Sequence, residues 1–202
     1  SVAHHLSKLK SFNAETNLLL VEGESEFVFL NRLKTCGYWG PPWIVLDVYG
    51  GSGNRIPKRI QMLLERYQRH GYKIHIEGDA DGGGKDIFNR IIARSSIKSE
   101  NTFVFKYDFE TSLPSDLLLS ALKEIGLLEK VSFGAFDKAV SSRNQSIVRT
   151  LKQVYELDIE PLKITLAGEI AALLNNARFS SWQEDDFMKS EIGTFIDFIR
   201  RI

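Results

Sequence analysis

The chain has 202 residues, of which 43% are hydrophobic and 26% are charged, so it is long and apolar enough for one domain with a sizeable core. Its apolar runs are too short to span a bilayer, its single cysteine excludes an internal disulfide, and its first residues form no signal peptide, so we expect a cytoplasmic protein with no membrane partner. The 26 basic and 26 acidic residues cancel, so only local charge can favour a nucleic-acid partner.

Strands and helices alternate in the first half of the chain. Short apolar runs predict buried strands at residues 17–21, 43–49, 72–76 and 102–107. Apolar positions at helical spacing predict helices after the first three strands, beginning near Ser25, Pro57 and Lys85. This alternation is typical of an α/β fold with a Rossmann-like, mainly parallel sheet flanked by helices. Ligands bind outside the carboxyl ends of the strands in such sheets, so a site is expected there.

Beyond Pro114 the pattern becomes helical. Helices are predicted at residues 116–126, 136–157, 164–175 and 191–202. We interpret the chain as three parts. Residues 1–16 are a lead-in or the end of a preceding domain, residues 17–112 are the catalytic sheet domain, and residues 113–202 are a helical extension packed on it.

Carboxylates follow the first and third predicted strands. Glu22 ends the first strand, and Glu26 lies one helical turn later, so both can point to one spot. Asp79 and Asp81 follow the third strand two residues apart, a spacing that aims both side chains the same way in an extended segment. If the two strands are neighbours, about 5 Å apart, the four carboxylates converge.

Four converging carboxylates would repel one another, because like charges in one place raise each other's pKa. A bound divalent cation resolves the repulsion. Oxygen ligands suit Mg²⁺ or Mn²⁺, and no cluster of Cys and His favours zinc. Solvated carboxylates on loops are the alternative, but apolar strands that lead straight into the acids favour a metal site.

Two short motifs carry a family resemblance. Residues 19–26 read Leu-Leu-Val-Glu-Gly-Glu-Ser-Glu, and residues 78–82 read Gly-Asp-Ala-Asp-Gly after two strand-helix units. Together they resemble the two signatures of the TOPRIM domain, which topoisomerases, bacterial primases, a ribosomal-RNA maturase and nucleases of the OLD (overcoming lysogenisation defect) family share. The resemblance covers about half of the chain and implies the TOPRIM sheet.

Further residues make the chain most similar to the C-terminal nuclease domain of OLD-family endonucleases. Residues 49–54 match them, Glu110 stands where they place another acidic metal ligand, and Lys163 resembles their C-terminal lysine. The resemblance implies that the substrate is DNA. No phosphate-binding motif of their ATPase precedes Glu22, so an ATPase domain or subunit is the implied partner.

The resemblance also implies a two-metal mechanism for hydrolysis of DNA phosphodiester bonds. Two Mg²⁺ or Mn²⁺ ions would stabilise the attacking and leaving oxygens, and Lys163 would neutralise charge in the transition state. The implied ligands form two sets: Glu22, Glu26 and Glu110 for one ion, and Asp79 and Asp81 for the other.

Basic residues cluster on the second predicted helix. From Arg55 to Lys73 there are six basic residues against one acid. Four of them share one face of the helix: Lys58, Arg59, Arg66 and Arg69. We call these four the basic stripe. It either contacts DNA phosphates or is a solvated face, and the sequence leaves both open.

Three further segments each fit more than one role. Asp47 fits a structural hydrogen bond or a site role, Asp108 alternates with Phe109 and can face the same way as Glu110, and the glycine-rich residues 50–53 fit a chain reversal or a phosphate cradle. The whole chain also fits a TOPRIM domain that acts on RNA or in primer synthesis, or a non-catalytic binding module. A topoisomerase is disfavoured, because the chain has no room for the separate large domain that carries the nucleophilic tyrosine.

Overall fold

A computed structural model of the chain describes residues 17–35, 44–50, 55–80, 83–174 and 184–202. Strands and helices alternate as predicted, which confirms the α/β class. The strands are β1 (Leu18–Val21), β2 (Val45–Val48), β3 (Ile74–Asp79) and β4 (Thr102–Phe105). The helices that follow the first three strands are α1 (Glu24–Thr35), α2 (Lys58–Arg69) and α3 (Lys85–Ser95). Pro57 directly precedes α2, where its missing N–H costs no helical hydrogen bond.

The four strands form one parallel sheet in the order β2-β1-β3-β4. All four residues of β1 are buried, because helices cover both faces of the sheet, and this is why β1 is continuously apolar. Leu20 pairs with Asp47 on one side and with Ile76 on the other. The segment after β1 therefore meets the end of β3 at the carboxyl edge of the sheet.

Each face of the sheet has its own core. Leu18 and Leu20 point to the face that α2 and α3 cover, whereas Leu19 and Val21 point to the face that α1 and the C-terminal helices cover. The second core is the larger of the two. The C-terminal half of the chain thus completes one face of the sheet.

The C-terminal half forms further helices, as predicted. They are α4 (Ser115–Glu124), α5 (Phe133–Ser141), α6 (Ile147–Tyr155), α7 (Lys163–Leu174), α8 (Glu184–Lys189) and α9 (Glu191–Arg200). Helix α7 packs on α1, and Arg32 donates a hydrogen bond of 3.2 Å to the Gly168 carbonyl. None of the helices in the described ranges is long and apolar enough to cross a membrane. The division of the chain at residue 112 stays a prediction.

The predicted elements differ from the structure in two places. The single helix predicted at residues 136–157 is wrong, because α5 ends at Ser141 and α6 begins after Ser146, whose hydroxyl donates to Asp108 across the fold. Strand β3 ends at Asp79 rather than Ile76. Pairing with β4 extends it, and so Glu77 lies inside the sheet.

Candidate metal centre at the carboxyl edge of the sheet

Glu22 is held in place at the end of β1 by neighbouring strands. Its backbone N–H donates to Glu77 Oε2 at 3.2 Å, and its own Oε2 accepts from the Asp79 N–H at 3.0 Å. The Tyr49 hydroxyl, which is buried, lies 3.5 Å from the same Oε2. These contacts fix one carboxylate oxygen of Glu22 against β3.

Three more carboxylates converge beside it. One carboxylate oxygen each from Glu26, Glu77 and Asp79 lie within 4.8 Å of one another, close enough to bind one metal ion. Glu26 is 5% exposed and lies in the first turn of α1, where the Ser25 hydroxyl donates to it at 3.1 Å. Glu77 is fully buried. We call Glu22, Glu26, Glu77 and Asp79 the acidic cluster.

Several carboxylate oxygens of this region have no hydrogen-bond partner. They are Glu77 Oε1, Asp79 Oδ1 and Glu110 Oε1, and all three are buried. A buried ionised carboxylate without a partner is costly, so the group either takes a proton or binds a cation. An all-oxygen set of carboxylates has the ligand chemistry that Mg²⁺ and Mn²⁺ prefer, and the cluster fits such an ion.

Without a cation, Asp79 holds a proton near neutral pH. Burial raises the pKa of Asp79 to about 9, and the charges of Glu22 and Glu26 add to the shift. Burial likewise raises the pKa of Glu77 well above its usual range, with Glu26 adding to it, and burial raises the pKa of Glu26. The carboxyl groups therefore carry less negative charge near neutral pH than their number implies.

Glu110 and Lys163 form an ion pair next to the acidic cluster. Glu110 opens a short 3₁₀ turn after β4 and is 2% exposed, and its Oε2 lies 3.4 Å from Lys163 Nζ. Burial raises the pKa of Glu110 to about 7, against the opposing charge of Lys163. Burial lowers the pKa of Lys163, but the charges of Glu110 and Glu160 outweigh it and raise the pKa above its usual value, so the ammonium stays protonated.

Two carboxylates have structural partners. Asp108 accepts from the Thr111 N–H at 2.8 Å and from the hydroxyls of Thr111 and Ser146, so it ties the turn after β4 to α6. Asp47 forms an ion pair of 2.5 Å with Arg59. For both residues these contacts favour a structural role over a role in the site.

The remaining predicted residues lie in different places. Lys58, Arg59, Arg66 and Arg69 are all exposed on α2, and Arg59 is already engaged by Asp47 and the Val48 carbonyl. Asp81 and residues 51–53 lie outside the described residues. The structure brings Glu22, Glu26 and Asp79 together, and it places Lys163 beside Glu110. The assignment of these residues to two ions stays a prediction.

Sequence reasoning missed Glu77 and Tyr49. The signal for Glu77 was a carboxylate two residues before Asp79, on the same face of an extended segment and directly after the apolar run 74–76. The third strand was predicted to end at Ile76, so Glu77 read as part of a loop. Tyr49 ends the second predicted strand, and only the pairing of β2 with β1 directs its hydroxyl to Glu22.

A glycine before α3 makes room for Glu22. A Cβ atom at Gly84 would overlap the Glu22 carboxylate, whereas a Cβ at Gly83 would meet nothing within 4 Å. Gly84 has helical backbone angles that alanine adopts readily. Gly84→Ala should therefore displace the Glu22 carboxylate with little loss of thermal stability.

We expect Gly84→Ala to lower Mn²⁺ affinity, measured by isothermal titration calorimetry, by roughly tenfold, within the range seen when the support of a metal ligand is disturbed. Gly83→Ala is the matched control and should bind Mn²⁺ like the parent protein. Equal metal affinity in both variants would show that Glu22 takes no part in binding the ion.

No protein-family model and no curated protein sequence matches the chain. Solved structures do match it. A structure of the C-terminal region of the Xanthomonas campestris pv. campestris OLD protein, phased with mercury, aligns with a TM-score of 0.53 and 14% identity over 93% of this chain and 96% of that chain. The iodine-phased structure of the same region aligns with a TM-score of 0.51 and 14% identity over 93% and 95%.

The chain has the fold of an OLD protein's C-terminal region. The alignments cover the sheet and the C-terminal helices alike, since they span nearly all of both chains. The resemblance to the C-terminal domain of OLD proteins, which residues 49–54, Glu110 and Lys163 indicated, is confirmed at the level of fold. The acidic cluster lies at the carboxyl edge of this fold's parallel sheet, where ligands of such sheets bind.

Proposed function

We propose that the chain is a metal-dependent endonuclease module that hydrolyses DNA phosphodiester bonds with two Mg²⁺ or Mn²⁺ ions. One observation supports this most strongly. Buried carboxylate oxygens of Glu77, Asp79 and Glu110 have no hydrogen-bond partner, and they lie at or beside the acidic cluster. A cation would balance the negative charge of these oxygens. The contacts within the fold leave all three oxygens without a hydrogen-bond partner, so a structural role does not account for them.

The residues present suggest how ions would be held. Glu26, Glu77 and Asp79 offer the oxygens that converge on one position. Glu22 of the acidic cluster and Glu110, both of whose charges act on Asp79, are the proposed ligands of a second ion together with Asp81. This grouping differs from the two sets that the resemblance implies, because oxygens of Glu26 and Asp79 converge on one position. Bound ions would supply an acidified water nucleophile and stabilise the leaving oxygen.

The chain's own groups have separate tasks in this proposal. The Asp79 N–H and the Tyr49 hydroxyl orient Glu22, so the ligand is positioned before any substrate arrives. The Lys163 ammonium remains charged and would stabilise negative charge that develops on the phosphate oxygens. The shared fold with OLD C-terminal regions also supports an ATPase domain or subunit as the partner of this module.

Metal dependence tests the proposal. The protein is incubated with supercoiled plasmid, linear duplex or RNA in Mg²⁺, Mn²⁺ or EDTA, and nicked and cut products are resolved on gels. We expect plasmid nicking in Mn²⁺ and Mg²⁺ and none in EDTA, with Mn²⁺ at least as effective because it tolerates less regular geometry. Cutting that persists in EDTA would rule out the two-metal mechanism, and cutting of RNA alone would favour a TOPRIM domain that acts on RNA.

Lys163 should affect the rate of phosphodiester cleavage rather than the affinity for DNA. Lys163→Met removes the ammonium but keeps much of the side chain, and it leaves Glu110 without its ion-pair partner. We expect single-turnover cleavage to slow by roughly 100-fold, with DNA affinity nearly unchanged, because the lost interaction strengthens only in the transition state.

A double variant separates this role from a structural one. In Lys163→Met with Glu110→Ala no buried carboxylate is left unpaired by the loss of the lysine, so thermal stability should recover relative to Lys163→Met. Because Glu110 is itself a proposed metal ligand, cleavage by the double variant is compared with cleavage by Glu110→Ala alone and should be slower still. Lys152→Met, at an exposed position on α6, is the control and should cut like the parent. Parental cleavage by Lys163→Met would exclude a role for this lysine in the chemistry.

A further inference from the structure

A groove with basic walls runs between α2 and α3, on the face of the sheet opposite the C-terminal helices. Its volume is about 640 Å³, and its lining residues come from the start of α2 and from the exposed side of α3: Arg55, Ile56, Lys58, Gln61, Arg90 and Arg94. Four of these six residues carry a positive charge. We call this the α2–α3 groove.

Most of that charge has no acidic partner. Arg94 pairs with Glu65 on α2 at 2.7 Å. Among the described residues, no ion pair involves Arg55, Lys58 or Arg90. All three of these residues are exposed. Three uncompensated cations in one groove attract a polyanion and would release its counterions when it binds.

One wall of the groove belongs to the helix that begins beside the acidic cluster. Helix α3 begins directly after Gly84, the residue that faces the Glu22 carboxylate. At about 1.5 Å per residue, Arg90 lies about 8 Å and Arg94 about 14 Å along α3 from its first residue. One DNA strand carries a phosphate about every 3.4 Å along the duplex axis, so Arg90 lies about two phosphate spacings along α3 from its first residue.

The basic stripe of α2 is placed less well for this task. Arg59 is engaged by Asp47 and Val48, and Arg66 and Arg69 lie in the last turn of α2. Helices that follow parallel strands run back from the carboxyl edge of the sheet, so the last turn of α2 is its end farthest from the acidic cluster. Of the four residues, only Lys58 also lines the groove.

We propose that the α2–α3 groove binds the phosphate backbone of the DNA strand next to the scissile bond, through Arg55, Lys58 and Arg90. This rests on the proposed nuclease function and adds to it the path of the substrate. Guanidinium and ammonium groups that contact phosphates carry no sequence information, so the groove would hold any DNA sequence in register with the acidic cluster.

Binding and cleavage are measured separately to test the groove. Affinity for a fluorescein-labelled duplex is measured by anisotropy in EDTA from 50 to about 250 mM salt, a range in which phosphate contacts change affinity strongly. The variant Arg55→Gln with Arg90→Gln is compared with Arg66→Gln with Arg69→Gln, which removes the same charge from the far end of α2. Lys130→Gln with Arg149→Gln, both exposed on the C-terminal half, controls for net charge.

The groove variant should bind about tenfold more weakly at low salt, and its salt slope should fall by about two, roughly one for each lost contact. The other two variants should keep most of the parental slope. A larger effect of Arg66→Gln with Arg69→Gln would place the contact on the basic stripe, and equal effects in all three would leave only net charge. Either result overturns the proposal that the groove binds DNA, and so does a parent chain that does not bind the duplex.

Cleavage in Mn²⁺ distinguishes this proposal from the proposed function. If the parent cuts plasmid and the groove variant binds and cuts equally well, the proposed role of the groove is wrong and the nuclease function stands. If the parent cuts nothing but its binding still depends on Arg55 and Arg90, the groove stands and the nuclease function is wrong.

Discussion

Asp79→Asn and Glu22→Gln should each lower Mg²⁺- and Mn²⁺-dependent DNA cleavage by at least about 100-fold. Each change removes one ligand charge with almost no change in shape. A bound metal ion supplies several kcal/mol of transition-state stabilisation, where about 1.4 kcal/mol is tenfold in rate, so weakening its site is costly. The measurement is the initial rate of plasmid nicking at saturating metal. The fold should persist, because the backbone N–H of residue 79 and the apolar strands around it are unchanged.

Glu24→Gln is the matched control for these variants. Glu24 lies between Glu22 and Glu26 but is exposed, so this variant should cut at the parental rate. A metal titration of each variant adds a second readout, since loss of a ligand raises the metal concentration needed for half-maximal nicking. Parental rates in both Asp79→Asn and Glu22→Gln would place the active site elsewhere on the molecule.

The metal-free protein should become less stable as pH rises from 7 to 9. Asp79 has a pKa of about 9 in the fold and an ordinary value near 4 when unfolded, so the folded chain holds a proton that the unfolded chain has lost. Stability therefore falls with rising pH through this window, by up to about 1.4 kcal/mol per pH unit for each such group. Glu77 and Glu26 shift in the same direction.

The pH range from 7 to 9 excludes the opposite effect that His75 has on stability. Burial lowers the pKa of His75 to about 4, so this residue reduces stability only as pH falls from about 6.5 to 4. Thermal unfolding is followed by circular dichroism in EDTA at pH 7, 8 and 9. Asp79→Asn should flatten the fall in melting temperature, and Asp86→Asn, at an exposed acid in the first turn of α3, should keep it.

Added Mg²⁺ should reverse the loss of stability between pH 7 and 9. The ion binds ionised carboxylates, so the rise in melting temperature on adding Mg²⁺ should be larger at pH 9 than at pH 7. A melting temperature that stays constant or increases from pH 7 to 9 in EDTA would contradict the protonated state of the acidic cluster.

The sequence predicts a strand or helix correctly where one short segment determines it. The apolar run of β1 is four residues long and is followed by Glu22. An unbroken apolar run predicts a strand that is buried on both faces, whichever elements cover it. Helices α2 and α3 begin where Pro57 and Lys85 predicted them. The single helix predicted at residues 136–157 is wrong. The chain breaks between α5 and α6, and Ser146 in this break donates to Asp108, 38 residues away, a contact that helical periodicity does not register.

The sequence by itself determined the class of fold and the place of the acids, because apolar runs, turn residues and the acids that follow the strands are local features. Tertiary structure decided which acids meet. Strand pairing buries Glu77 and brings it to Glu22 across 55 residues, and packing of α7 on α1 brings Lys163 to Glu110. Burial in the assembled fold then sets the pKa of each carboxyl group, because desolvation depends on all the segments that surround the group rather than on its neighbours in the chain.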